Sequence, residues 1–198
     1  MINYLRLIAI LLVVWSCSSS TDELANYFDS TEIEELKQLT QFVVGELAAD
    51  CEGNQTDCLQ FYFDQLRNSG YDFDLTVISK LEQSKLLSSL SESTSKDIWS
   101  TCKGSRPTEN GRVDLEAICP NMNGKFAYFL IDYCAKTDRL TSSADAFEQA
   151  GFYSPAMNAQ LIKNPDSFNF KSEAELLLIS VHLLSLNSED MIVESVPN

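Results

Sequence analysis

The chain has 198 residues and a formal net charge of −15, because 29 acidic residues outnumber 14 lysines and arginines. This length suits one domain with a real hydrophobic core, since a domain of about 150 residues buries roughly 70% of the surface that its unfolded chain exposes. The acidic balance disfavours nucleic acid and anionic lipid surfaces as direct partners, because both would repel it. We therefore expect no nucleic-acid partner.

The first residues have the pattern of a secretory signal. Arg6 and the amino terminus are positive, and nine apolar residues, Leu7 to Trp15, follow them. This run is too short to cross a bilayer as a stable helix, which needs about 20 residues. The segment therefore predicts export and not a membrane span.

The end of this signal is similar to a known processing motif. Val14-Trp15-Ser16-Cys17 resembles the lipobox of bacterial lipoproteins, in which the cysteine is acylated and becomes the mature N-terminus. The resemblance implies a signal peptide at 1–16, lipidation of Cys17 and an acylated tether at 17–28. Ser18 resembles the residue found in lipoproteins sorted to the outer membrane, so we expect a lipid anchor there, on a periplasmic or surface face. Two alternatives are an ordinary signal peptide with an incidental Cys17 and an uncleaved inner-membrane anchor.

Cysteine content agrees with export, because five cysteines remain after Cys17 and oxidising compartments favour their pairing. The pairs close in sequence are Cys51 with Cys58 and Cys102 with Cys119, which leaves Cys134 odd. Zinc is the competing interpretation, but the chain has no CxxC motif and a single histidine. We expect two disulfide-closed loops and neither a metal nor a cofactor.

Apolar periodicity predicts an all-α fold of about seven or eight short helices in one domain over 29–187, followed by an acidic flexible tail at 188–198. The most apolar segment, Glu173 to Leu186, is predicted to be a central helix that the others surround. The first predicted helix runs from Glu32 to Leu47, with a capping box at Thr31 and Glu34. A later helix is predicted to start at the pattern Thr94-x-x-Asp97, which precedes Ile98-Trp99. The other predicted helices run from Cys58 to Arg67, over one or two segments between 74 and 90, from Lys125 to Cys134, from Leu140 to Ala150 and from Pro155 to Ile162.

Two stretches are predicted to lie outside helices. Arg106-Pro107 and Asn110-Gly111 favour a long loop from Lys103 to Arg112. The alternating residues Val113, Leu115 and Ala117 favour a brief strand, for which the sequence offers no evident partner. The order of the helices, with the segments Asn123-Gly124-Lys125 and 150–155, loosely resembles uncharacterised lipoproteins of Gram-negative bacteria.

No catalytic set is evident in the sequence. His182 could act as a general base, but a buried, satisfied histidine is the more common outcome on such an apolar helix. A carboxylate-dependent envelope hydrolase would need two acids in a cleft, for which Asp72, Asp74 and Asp132 are candidates because they flank aromatic residues. We expect a non-enzymatic module that binds an unknown protein partner. The alternatives are this hydrolase and a small-ligand binding protein with an aromatic pocket.

Overall fold

The computed structural model describes residues 21–69, 77–108, 111–142, 144–145, 159 and 161–189. These residues form a mostly helical fold with one β-hairpin, as periodicity predicts for the helical part. The elements, in chain order, are α1 (Thr21–Leu24), α2 (Ser30–Leu47), α3 (Gln55–Asn68), α4 (Lys80–Ser89), α5 (Glu92–Ile98), β1 (Trp99–Thr108), β2 (Gly111–Pro120), α6 (Lys125–Ala135), two 3-10 turns (Asp138–Leu140 and Pro165–Ser167) and α7 (Glu173–Glu189).

The C-terminal helix α7 lies at the centre of the fold. Every residue from Ala174 to Ser185 is buried, and the helix contacts α1, α2, α4 and β2. A helix that is apolar on all sides lowers its free energy only when other elements cover all of them. The prediction of a central apolar helix is confirmed.

The first long helix, α2, buries the predicted apolar face but begins earlier than expected. Its N-cap is Asp29, whose side chain accepts hydrogen bonds from the backbone of Thr31 and Glu32, while the Glu32 carboxylate accepts one from the Asp29 backbone. The predicted capping box at Thr31 and Glu34 is therefore wrong by two residues. An aspartate caps as well as a threonine, so sequence spacing alone leaves both registers open. The buried apolar face comprises Ile33, Leu36, Leu39, Val43, Val44 and Leu47.

The predicted loop from Lys103 to Arg112 is wrong, because most of it is paired in the hairpin. Strands β1 and β2 are antiparallel, with Trp99 opposite Pro120 and Thr108 opposite Gly111. Gly111 has a φ of 127°, a conformation that favours glycine, next to the reversal of the chain. The predicted strand at Val113 to Ala117 is confirmed, and β1 is the partner that the sequence did not reveal.

The helix predicted to start at Thr94-x-x-Asp97 is present, but it begins at Glu92 and ends at Ile98. Ser91 caps α5 through a hydrogen bond from the Thr94 backbone, and the chain becomes extended at Trp99. Similarly, part of the predicted tether at 17–28 is packed, because Leu24 and Phe28 are buried in the core. Within the described residues, burial in the core therefore includes Leu24 and Phe28, which precede the predicted domain start at Asp29. At the other end, α7 continues to Glu189, two residues into the predicted tail.

The two helices predicted between Leu140 and Ile162 lie largely outside the described residues. Within the described part, Thr141, Ala144 and Leu161 are helical, and four apolar residues of the two predicted segments are buried. They are Leu140, Ala144, Leu161 and Ile162.

Candidate functional site

An open groove of about 470 Å³ lies between the C-terminal halves of α2 and α3. We call it the acidic groove. It is lined by Glu46, Leu47, Asp50, Cys51, Phe61, Tyr62, Gln65, Leu66, Ser69 and Val77.

The groove is held open by the connection between its two helices. Cys51 and Cys58 are 2.14 Å apart at their Sγ atoms and form a disulfide that links the end of α2 to the first turn of α3. Asn54 caps α3 by accepting a hydrogen bond of 3.1 Å from the Asp57 backbone. A short covalent loop and a capped start fix the direction in which α3 leaves α2.

Helical spacing explains which side chains of α3 face the groove. Leu59 and Phe63 point into the core and are buried, whereas Leu66 is buried and also lines the groove. Phe61 lies on the other side of the helix, and 52% of its surface is exposed. A phenylalanine in water leaves apolar surface available for contact with another molecule. Phe61 is therefore the main apolar contact that this groove offers.

The electrostatic character of the groove is negative. Among the described residues that line it, Glu46 and Asp50 are the two that carry a charge. The last turn of α2 has no basic side chain, so the negative end of the helix dipole is not offset there. Arg67 at the end of α3 is paired with Asp64 at 2.7 Å. Cationic groups are consequently attracted to this end of the groove.

A second cleft of about 320 Å³ lies where α1, α2 and α7 meet the start of α3. Its apolar lining comes from leucines and a valine that belong to the core, and its polar rim includes Lys37, Gln41, Gln55 and Glu173. This cleft has the mixed lining of a small-molecule site. Of the aromatic residues on α6, Phe126 and Phe129 are buried in the core, and Phe129 also lines a small cleft of about 170 Å³ together with Tyr27 and Tyr133.

The structure places the sequence-predicted residues as follows. Cys102 and Cys119 are 1.89 Å apart at their Sγ atoms, so both predicted cysteine pairs are at disulfide distance. Cys134 is a free, buried cysteine, and burial raises the pKa of its thiol to about 12. A thiol with such a pKa is poorly nucleophilic at neutral pH. Cys17, Asp72 and Asp74 lie outside the described residues.

His182 and Asp132 are the other two candidates, and neither lines the acidic groove or the second cleft. His182 is fully buried on α7, and burial lowers its pKa to about 3. An imidazole in this environment is neutral and out of reach of a substrate. Asp132 is exposed on α6 and accepts a hydrogen bond from the Tyr27 hydroxyl.

Two buried carboxylates form ion pairs that the sequence did not predict. Glu175, 1% exposed, accepts hydrogen bonds from Arg139, from the Tyr133 hydroxyl at 3.0 Å and from the Asn169 backbone at 2.8 Å. Glu32 binds the Lys125 ammonium at 2.6 Å. Because hydrogen bonds and ion pairs engage their oxygens, these two carboxylates hold together elements that are distant in sequence. Their partners are far away in sequence, so no local signal marks them.

Within the described part of the chain, no cluster of three or more histidine, cysteine or acidic side chains is placed to hold a metal ion. Among the same residues, no helix combines the length and apolarity needed to cross a bilayer. No protein-family model, curated protein or solved structure matches this chain.

Proposed function

We propose that this protein is an envelope lipoprotein, anchored in the outer membrane through acylated Cys17, whose helical domain binds a protein partner at the acidic groove. The anchor is supported by the lipobox-like segment from Val14 to Cys17. Several acyl chains on one cysteine, each methylene contributing about 0.8 kcal/mol, hold a domain at a membrane without a spanning helix. In this proposal the protein is an accessory or binding module and not an enzyme.

The single observation that carries the binding role is the exposure of Phe61 in a groove between two rigidly connected helices. Aromatic residues in such positions dominate the binding energy of protein interfaces. The disulfide between Cys51 and Cys58 limits how far the groove can rearrange. A groove of fixed shape loses little conformational entropy on binding, which favours affinity.

Photo-crosslinking in intact cells tests the binding role. A photoreactive phenylalanine analogue at position 61 should yield a discrete crosslinked species, because the analogue replaces the exposed ring. The same analogue at Leu81 is the matched control, since this side chain is 66% exposed on α4 and does not line the groove. Equal crosslinking patterns at both positions would reject the groove as the binding surface.

Membrane fractionation tests the anchor separately. The wild-type protein should partition with the membrane and carry an acyl mass, whereas Cys17→Ala should lose that mass and appear in the soluble fraction. A Cys17→Ala protein that stays with the membrane without acylation would contradict lipid anchoring. It would instead support an uncleaved apolar anchor at Leu7 to Trp15.

A second candidate function is small-ligand binding in the cleft between α1, α2 and α7. The observation in its favour is a polar rim over an apolar floor. Native mass spectrometry of the purified protein should then detect a bound small molecule that the substitution Thr40→Trp removes, because the indole would fill the cleft. Detection of the same mass in both proteins would contradict binding at this cleft.

A further inference from the structure

The acidic groove joins exposed apolar surface to negative charge that none of its described lining residues balances. These ten described residues include Glu46 and Asp50 and contain no lysine or arginine. Asp50 is exposed, and Glu46 is half-buried with its carboxylate 3.4 Å from the Ser79 backbone nitrogen. Both carboxylates therefore stand at the edge of the surface that Phe61 dominates.

The surroundings of the groove strengthen this field. The C-terminal end of α2 points its last carbonyl groups to the same end of the groove, and no basic residue lies in that turn. The chain as a whole carries a formal charge of −15. Fields of this kind raise the association rate of oppositely charged partners and slow that of like-charged ones.

This charge distribution argues against a second copy of the chain as the occupant. Each copy carries the same excess of acid, so two copies repel each other as they approach. Lysine and arginine side chains suit the groove better, because their aliphatic stems cover apolar surface while their charged ends reach carboxylates at its edge. Their cationic ends also interact favourably with the face of an aromatic ring such as that of Phe61.

We infer that the acidic groove binds a cationic, amphipathic segment of another protein. Apolar side chains of this segment contact Phe61, and its lysines or arginines pair with Glu46 and Asp50. This inference rests on the proposed binding role and adds the chemistry of the partner. It predicts an affinity that falls steeply as the salt concentration rises.

Synthetic peptides serve as the probe. One amphipathic helical peptide presents leucine on one face and lysine on the other, and a second replaces each lysine with glutamine. Binding of the fluorescently labelled peptides to the full-length protein, purified from membranes in non-ionic detergent, is followed by polarisation at low and physiological salt. The lysine peptide should bind more tightly than the glutamine peptide, with a difference that shrinks as salt is added.

Substitutions then locate the binding surface. Phe61→Ala should weaken binding of the lysine peptide about tenfold, as expected for an aromatic anchor. Asp50→Asn should weaken it about two- to fivefold, the usual range for an exposed charge pair. The matched controls are Leu81→Ala, an exposed apolar residue outside the groove, and Glu34→Gln, an exposed acid at the opposite end of α2. Both controls should leave the affinity unchanged.

Two results would overturn the inference. Equal affinities for the lysine and glutamine peptides, both reduced by Phe61→Ala, would keep the groove as a binding surface but remove its preference for cations. Lysine-peptide binding that neither Phe61→Ala nor Asp50→Asn changes would show attraction to the whole acidic surface instead. Failure of the proposed function itself is distinct, because it is the absence of a specific crosslink from position 61 in cells.

Discussion

Gly124 provides a sharp test of how the hairpin and the helices are joined. It lies at the N-cap of α6, directly against the end of α5. A Cβ atom at position 124 would stand 2.2 Å from the carbonyl oxygen of Asp97 and 2.7 Å from its carbonyl carbon. Comfortable contact between carbon atoms needs about 3.5 Å, so the overlap is on the order of 1 Å.

No side-chain rotation can relieve this overlap, because the atoms concerned belong to the backbone. The junction is also fixed by hydrogen bonds from Asn121, whose backbone donates to Ile98 at 2.8 Å and whose side chain donates to Lys96 at 2.6 Å. Any separation of α5 from α6 would therefore disturb these bonds. We expect Gly124→Ala to lower the free energy of unfolding by about 3 kcal/mol, at the upper end of the range for overpacking.

Gly45→Ala is the matched control. Gly45 is exposed within α2, and an added Cβ there meets no atom within 4 Å. Alanine should stabilise the protein by about 0.5–1 kcal/mol, because glycine loses more backbone entropy in a helix. The two substitutions make the same chemical change and should have opposite effects.

Urea unfolding followed by circular dichroism, under oxidising conditions, measures both effects. Gly124→Ser separates the overlap from helix capping, since serine is a better N-cap than alanine but carries the same Cβ. Serine should be nearly as destabilising as alanine. A Gly124→Ser protein as stable as the wild type would refute the steric explanation.

Three further predictions concern the core and the disulfides. Cys102→Ala with Cys119→Ala should lower the free energy of unfolding by about 3 kcal/mol in the chain-entropy treatment, and a reductant should remove the difference from the wild type in urea titrations. His182→Leu should flatten the pH dependence of stability. Burial lowers the pKa of His182 from 6.5 to about 3, so between these pH values the unfolded chain binds a proton that the folded chain does not. Stability therefore falls as the pH drops from 6.5 towards 3, at most by about 1.4 kcal/mol per pH unit. Urea midpoints of wild type and His182→Leu that change in parallel with pH would contradict this. Glu175→Gln should cost about 2 kcal/mol in thermal melts, because it removes one charge of a largely buried pair with the partly exposed Arg139. Retention of the wild-type melting temperature would show that hydrogen bonds to residue 175 are sufficient and that its charge adds no stability.

The hairpin shows where local patterns mislead. Asn110-Gly111 is typical of tight β-turns as well as of loops, and the nearby Arg106-Pro107 favoured a loop. A strand pairs only with a partner of matching register. The alternation of apolar and polar residues was visible in β2, but glycine, serine and proline hid any such pattern in β1. The acidic groove was missed for a related reason. Its lining residues come from two helices and the segments that follow them, and only packing shows which of these side chains come together.

Capping across elements gives another example of what the sequence conceals. The carboxylate of Glu35 in α2 accepts hydrogen bonds from the backbone and hydroxyl of Ser91, at 3.0 and 2.8 Å. Burial acts to raise the pKa of Glu35, but hydrogen bonds from Thr94 and Ser91 outweigh it and lower the pKa. A glutamate near a helix start ordinarily stabilises its own helix. Glu35 also holds Ser91, the N-cap of α5.

The sequence by itself predicted the helical class, the approximate bounds of α2, α3 and α6 and the central place of α7, and it offered the two cysteine pairs as candidates. Each of these depends on a period or a spacing along the chain, which a local pattern records directly. Only the tertiary structure decided the strand partner, the buried ion pairs of Glu32 and Glu175, and the acidic groove. These depend on contacts between residues far apart in sequence, where the free energy comes from packing and desolvation and leaves no local signal.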